Sequence, residues 1–235
     1  MGMRAIAINV GANTNEPGFR GPITADGEFT YLPIPESKPT REPVPTYGDL
    51  DAQLHFDVPE DVHVTPVHLD PEFATYPCCE RYTYGDEHGV KAGPLSDLGV
   101  GDYLFFYATL TVEETADWLP PAWGAFLIGH FRLARAPTCS DALSEGEQSR
   151  FANNAHQKRQ QPDAQVLIEG DPEESVLYGR AVPLSSPAGG TTANELVTEY
   201  SSDSGKGPWW RRVLRYDETG TRRLLDAPGG EQPTS

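Results

Sequence analysis

The sequence predicts an α+β fold: a mixed, mainly antiparallel sheet or a small open barrel, with a few flanking helices and long Pro/Gly-rich loops. Three observations carry this. Two apolar runs, residues 103–108 and 126–131, are short, rich in aromatic and branched side chains, and preceded by Gly101 and Gly124. That is the pattern of strands, and apolar residues at consecutive positions mean that both faces are covered. Residues 4–10 alternate, with Ile6, Ile8 and Val10 on one face and Ala5 and Ala7 on the other, which reads as an N-terminal strand of period two. Finally, 23 Gly and 22 Pro against a hydrophobic content of 37% leave much of the chain to loops.

The elements follow in order. The N-terminal strand exits through Asn9-Val10-Gly11. Asp26-Gly27 marks a turn, and residues 28–32 read as a second short strand. Pro33-Ile34-Pro35-Glu36 lacks backbone donors at both prolines, so it reads as a stiff extended segment rather than a central strand. Thr46-Tyr47-Gly48-Asp49 reads as a turn, and the same tetrapeptide recurs as Thr83-Tyr84-Gly85-Asp86; the flanks do not repeat, so this is coincidence or local convergence. Asp70-Pro71 is expected to open a short helical turn. The first central strand ends near Thr109 and Leu110, and residues 111–123 form a loop long enough to serve as a lid. Ser144 and Glu147 have capping-box spacing, which predicts a helix over about 144–156. A strand over 166–170, a segment from Ser175 that breaks at Pro183, and a last helix from Thr192 complete the reading. Residues 1–226 are expected to form one domain, with 227–235 as a disordered tail.

Composition narrows the classes. No stretch approaches the roughly 20 apolar residues needed to cross a bilayer, so no membrane partner is expected. The N-terminus shows no secretory pattern and the three cysteines make no disulfide framework, which points to a reducing cytoplasm. Net charge is −17 with only four lysines, Lys38, Lys91, Lys158 and Lys206. Acid-rich, Lys-poor composition resembles proteins of halophilic archaea, where molar salt shrinks the Debye length to about 3 Å. Total charge is then a poor guide to partners.

The candidate chemistry lies in polar residues beside Gly, Pro or strand ends. Asn9, Asp26, Glu36, His68 and Asp70 are the first such set; carboxylates with a histidine serve general acid–base catalysis or hold a divalent ion, and each acid can equally cap a turn. No metal ligands are assigned: His68, Cys78, Cys79 and His88 fit no usual zinc spacing. The second set is Asn153, His156 and Arg159, which share a face of the predicted helix and suit a phosphate or a base edge. The third, Trp209-Trp210-Arg211-Arg212 with Arg215, suits either base stacking or packing on the core. There is no Walker loop, GxGxxG, GxSxG or HExxH.

Several of these segments together resemble a family catalogued as a nucleotide modification associated domain, the third of a numbered series. They are Asn9-Val10-Gly11, Asp26-Gly27 with Phe29 and Tyr31, Pro33-Ile34-Pro35-Glu36, Thr46-Tyr47, His68-Leu69-Asp70-Pro71-Glu72-Phe73, Thr83-Tyr84-Gly85-Asp86, Gly101-Asp102 with Phe105-Phe106-Tyr107-Ala108, Ile128-Gly129 and Asn154-Ala155-His156. A second likeness is one of fold: Gly-Asp, an apolar strand ending in Tyr, a loop and a strand with an internal Gly is similar to the small barrels of the pseudouridine synthase and archaeosine transglycosylase type. The resemblance implies a nucleotide or nucleic-acid partner, together with other proteins of a DNA modification system. It supplies no reaction and leaves the cofactor unknown. Three readings stay open. In a base-modifying enzyme, Asp26, Glu36, His68 and Asp70 are catalytic and Asn9, Tyr47, Tyr84, Asp86, Asn153, His156 and Arg159 bind the nucleotide. In a reader of modified bases, Tyr47, Tyr84 and Trp123 stack on the base. The third reading is a structural partner of a modification complex.

Overall fold

In the computed structural model, which describes residues 2–54 and 56–227, the two apolar runs become the two longest strands. In chain order the elements are β1 (Ala5–Asn9), β2 (Pro22–Ile23), β3 (Ile34–Pro35), α1 (Tyr47–Leu54), β4 (Val67–His68), β5 (Thr83–Asp86), α2 (Gly89–Ser96), β6 (Tyr103–Val112) and β7 (Trp123–Arg132). They continue with α3 (Glu145–Gln148), α4 (Ala155–Lys158), β8 (Val166–Glu169), β9 (Val176–Pro183), β10 (Ser185–Ser186), β11 (Gly189–Ala193), α5 (Glu195–Thr198), β12 (Leu214–Tyr216) and α6 (Glu218–Asp226). The fold is α+β. Its mixed sheet runs β12-β1-β6-β7-β9, with β2 beside the far end of β6. β1 and β2 run parallel to β6, and the other pairs are antiparallel. Among the described residues the sheet does not close, so the barrel alternative is not what forms: β12 and β9 remain its two edges.

The alternation in β1 and the double-sided apolar runs have one cause: the sheet has a core on each side. Ile6, Ile8, Leu104, Phe106, Phe126 and Ile128 face one core. Ala5, Ala7, Phe105, Tyr107, Ala125 and Leu127 face the other, where Val197, Trp209 and Leu224 cover them. Each face is apolar because each buries against another layer. On the first side, the rings of Phe73, Phe106 and Phe131 meet edge to face, with centroids 4.6–5.4 Å apart, a favoured aromatic geometry. Gly129 is what lets Phe73 reach β7: a Cβ there would lie 2.8 Å from the Phe73 ring and 2.5 Å from the carbonyl oxygen of Val176.

Several local expectations are corrected. Thr46 to Asp49 is the start of α1, not a free turn, because the Asp49 carboxylate accepts hydrogen bonds from the Thr46 amide and hydroxyl. The identical tetrapeptide at Thr83 to Asp86 is strand β5, paired with β8 and buried throughout. Tertiary pairing decides between the two. Asp70-Pro71 opens no helix; Glu72 bridges Thr83 in extended conformation. The expected helix over 144–156 breaks into the single turns α3 and α4, because Asn154 caps a new turn by accepting from the His156 amide. The expected strand over 28–32 reduces to one bridge between Phe29 and Ile23 around the Asp26-Gly27 turn. Thr192 lies in β11, and the following helix starts at the Asn194 cap. The expected tail falls, beyond Ala227, outside the described residues. Among those residues no helix is long and apolar enough to cross a membrane.

On β7, His130 packs against Phe105 and Tyr178, its Nε2 3.1 Å from the Glu174 carbonyl oxygen and its Nδ1 2.8 Å from the Tyr178 hydroxyl. Burial favours the neutral ring and lowers its pKa to about 4. The folded chain therefore refuses a proton that the unfolded chain accepts near pH 6.5. Stability from this group is complete above that pH and is lost as pH falls toward 4. Urea unfolding at pH 7 and pH 5 is expected to show wild type losing roughly 2 kcal/mol more than His130→Gln; equal losses contradict the assignment.

Candidate active site

The segment His68-Leu69-Asp70-Pro71-Glu72-Phe73 alternates polar and apolar side chains, and all six residues are buried. Leu69 and Phe73 anchor it in the first core, and the chain alternation leaves His68, Asp70 and Glu72 for polar partners. Each partner comes from a different segment. β3 pairs with β4 in the register Ile34↔His68, so Glu36, one residue past β3, meets His68 with Oε2 2.6 Å from Nδ1. β5 supplies the Gly85 amide, which donates to Asp70 Oδ2 at 2.8 Å. Glu72 accepts from the amides of Glu80 and Arg81, the Thr83 hydroxyl and the Asn153 side chain; four donors make it a structural carboxylate that ties the loop after it to β5.

The last contributor is α4. Asn154, fully buried, accepts from the His156 amide at 3.1 Å and donates to Thr83 Oγ1 at 3.2 Å. That cap swings His156 onto β5, where its ring meets His68 edge to face with centroids 4.8 Å apart. His156 Nδ1 lies 2.8 Å from Asp163 Oδ1. Arg159 then bridges the two halves. It reaches Glu36 at 3.1 Å, Glu87 at 2.6 Å and Asp163 at 2.8 Å, and Lys38 pairs with the same Glu87 and Asp163.

These contacts fix the protons. Burial opposes charge on Glu36, but the hydrogen bond and charge of His68, with Arg159, outweigh it and lower the pKa to about 2. Asp163 is likewise held well below the usual carboxylate range against its burial, by Lys38, His156 and Arg159. Ionised carboxylates only accept, so both imidazoles donate from Nδ1 and leave Nε2 to the cleft. Burial, with the nearby His68 and Arg159, lowers His156 to about 4 and keeps it neutral at pH 7. Asp70, buried and near Asp86 and Glu72, is pushed well above the ordinary value.

His68, Asp70 and His156 form the floor of a cleft of about 350 Å³. Its walls include Asn9 and Gly11 at the exit of β1, Ile34 and Pro35, Tyr84 to His88, Lys91 and Arg159. Of the residues expected at the site, the structure brings Asn9, His68, Asp70, Tyr84, Asp86, His156 and Arg159 to this one cleft, with Glu36 directly behind His68. Three stand apart. Asp26 is in an exposed turn, bonded to Thr24. Tyr47 is fully buried and donates to the Pro33 carbonyl at 2.6 Å. Asn153 turns away to Glu72 and the Cys78 carbonyl. Trp209 belongs to the second core, bonded to the Thr191 carbonyl. Among the described residues no close group of three potential metal ligands includes a cysteine. Sequence reasoning passed over Lys38, Glu72, Glu87, Asn154 and Asp163 as partners. The alternation over 68–73 was the available signal for Glu72.

The sequence profile of a family described as nucleotide modification associated domain 3 matches residues 4–226. The chain belongs to that family. The match spans every element described above, including the segments that build the cleft floor. No curated protein and no solved structure gives a match.

Gly85 holds the closest approach in the site: a Cβ there would sit 2.8 Å from His156 Cδ2 and 3.1 Å from Asn154 Oδ1. Gly85→Ala is expected to destabilise by roughly 1–3 kcal/mol, as overpacking does, and to displace the His156 ring. Urea unfolding, with histidine NMR shifts for the ring, checks both; an unaltered midpoint and spectrum contradict the packing described.

Proposed function

We propose that this member of the family is an enzyme acting on a nucleotide base, which enters the cleft base-first. The observation that carries the reading is the buried floor itself: two imidazoles and a carboxyl held within reach of one another at the bottom of a 350 Å³ cleft. Perturbed titratable groups converging in a cleft mark candidate active sites. The walls favour the base end. Glu16, Asp70, Asp86 and Glu87 line the cleft, and Arg159 is already engaged by three carboxylates. A phosphate at the floor would meet carboxyl oxygens and find no free guanidinium, whereas ring N–H groups and exocyclic amines find acceptors. The phosphate end would stay at the mouth, where His88 is exposed and Lys91 partly so. Arg159 is therefore read as a positioning residue rather than a phosphate ligand.

The geometry supports a reader less well. Tyr84 is buried, with its hydroxyl donating to Asp86, and Trp123 packs on Trp210 and under Arg20. Tyr84 packs against Phe106, and Trp123 is not among the residues that line the cleft. Within the enzymatic reading, the Nε2 atoms of His68 and His156 and the Asp70 carboxyl are the groups that act at the floor, in acid–base work or as ligands of an ion.

The test is product analysis by mass spectrometry after incubation with nucleotides and with DNA carrying modified bases. It is run at low and molar KCl, because the acidic, Lys-poor composition is read as salt adaptation; turnover is expected to rise with salt. Asp70→Asn and His156→Gln are each expected to lower turnover about 100-fold or more, the scale of lost acid–base catalysis. Full turnover in both variants would remove this site from the reaction.

A further inference from the structure

We infer that His68 Nε2, His156 Nε2 and Asp70 Oδ2 together hold one divalent transition-metal ion at the floor of the cleft. This deepens the proposed function and rests on the same cleft. The three ligand atoms lie within 4.8 Å of one another. Asp70 Oδ2 is 3.5 Å from His156 Nε2 and 3.9 Å from His68 Nε2. Two ligands bound at about 2.0–2.2 Å to one ion stand no more than about 4.2 Å apart, so both pairs fit with little movement.

Contact geometry makes the case for a cation. Each Nδ1 is committed to a carboxylate, Glu36 or Asp163. Each ring is left with Nε2, and both Nε2 atoms lie near the same carboxyl oxygen at lengths that are not hydrogen bonds. Asp70 Oδ2 also accepts from the Gly85 amide. A single cation satisfies all three groups at once.

The surroundings match what metal-bound histidines require. Imidazole ligands ordinarily donate their other N–H to a carboxylate, which fixes the tautomer and raises basicity. Here both do. The rival group of Glu87, His156 and Asp163 is already neutralised by Lys38 and Arg159. Two imidazoles and one carboxylate suit zinc, iron(II) or cobalt(II) rather than magnesium or calcium. With three protein ligands on the floor, further coordination positions face the cleft, where a substrate atom or water binds.

The experiment uses the full chain, stripped with chelator and titrated with cobalt(II), zinc and magnesium without any nucleotide. Expected are about one cobalt or zinc per chain by elemental analysis, cobalt ligand-field absorption, a raised thermal midpoint and no magnesium uptake. His68→Ala with His156→Ala is expected to abolish binding. Glu36→Gln, which preserves shape, is expected to weaken it about 10–100-fold; this variant decides if the double variant fails to fold. A folded wild-type chain that takes up no ion, or metal binding that survives both sets of substitutions, overturns the inference. The two readings fail separately. Metal binding without any nucleotide turnover counts against the proposed function alone, and turnover by metal-free chain in chelator counts against the metal alone.

Discussion

Two buried imidazoles, each tied through Nδ1–H to a carboxylate, are the constraint on which the rest of the cleft depends. A buried carboxylate must be compensated, and the chain compensates Glu36, Glu87 and Asp163 with His68, His156, Arg159 and Lys38. This network joins the segment after β3, the strand β4, the residue after β5, the turn α4 and the loop leading to β8. Those segments are far apart along the chain, and only the sheet beneath them brings them into register. Phe73 and Leu69 plant the His68-to-Phe73 segment in the first core, while Glu72 locks the loop that follows. Removing one member of the network strands the others, so the site and the local fold are one structure.

The sheet was legible because its signals are local. The period-two pattern of residues 5–9 and the unbroken apolar runs of β6 and β7 report directly on which faces are covered. The single turns α3 and α4 were not, because a run of polar residues with one capping box looks continuous until Asn154 is known to turn inward. The repeated tetrapeptide makes the same point: Thr46 to Asp49 and Thr83 to Asp86 share every side chain, yet one begins a helix and the other pairs with β8. Nonlocal pairing, which composition and spacing do not encode, chose between them.

The site was legible in part for the same reason. His68, Asp70, His156 and Glu36 stand out as polar residues set among prolines, glycines and strand ends. Their partners Asp163 and Glu87 have no such frame, and only the fold brings them near. Arg159 shows the opposite case: rarity of cations suggests a phosphate ligand, and the fold surrounds its guanidinium with three carboxylates that the sequence did not announce. Asp26 has suitable chemistry but lies in an exposed turn just past β2, outside the residues that line the cleft.

The arrangement of protons is the claim from which everything else here follows, and ¹⁵N-histidine NMR reads it without any substrate. At neutral pH in the ligand-free chain, His156 is predicted to be the neutral Nδ1–H tautomer with unprotonated Nε2, and His68 to carry hydrogen on Nδ1. His156 found as the Nε2–H tautomer or as imidazolium, or His68 found without hydrogen on Nδ1, would contradict the account.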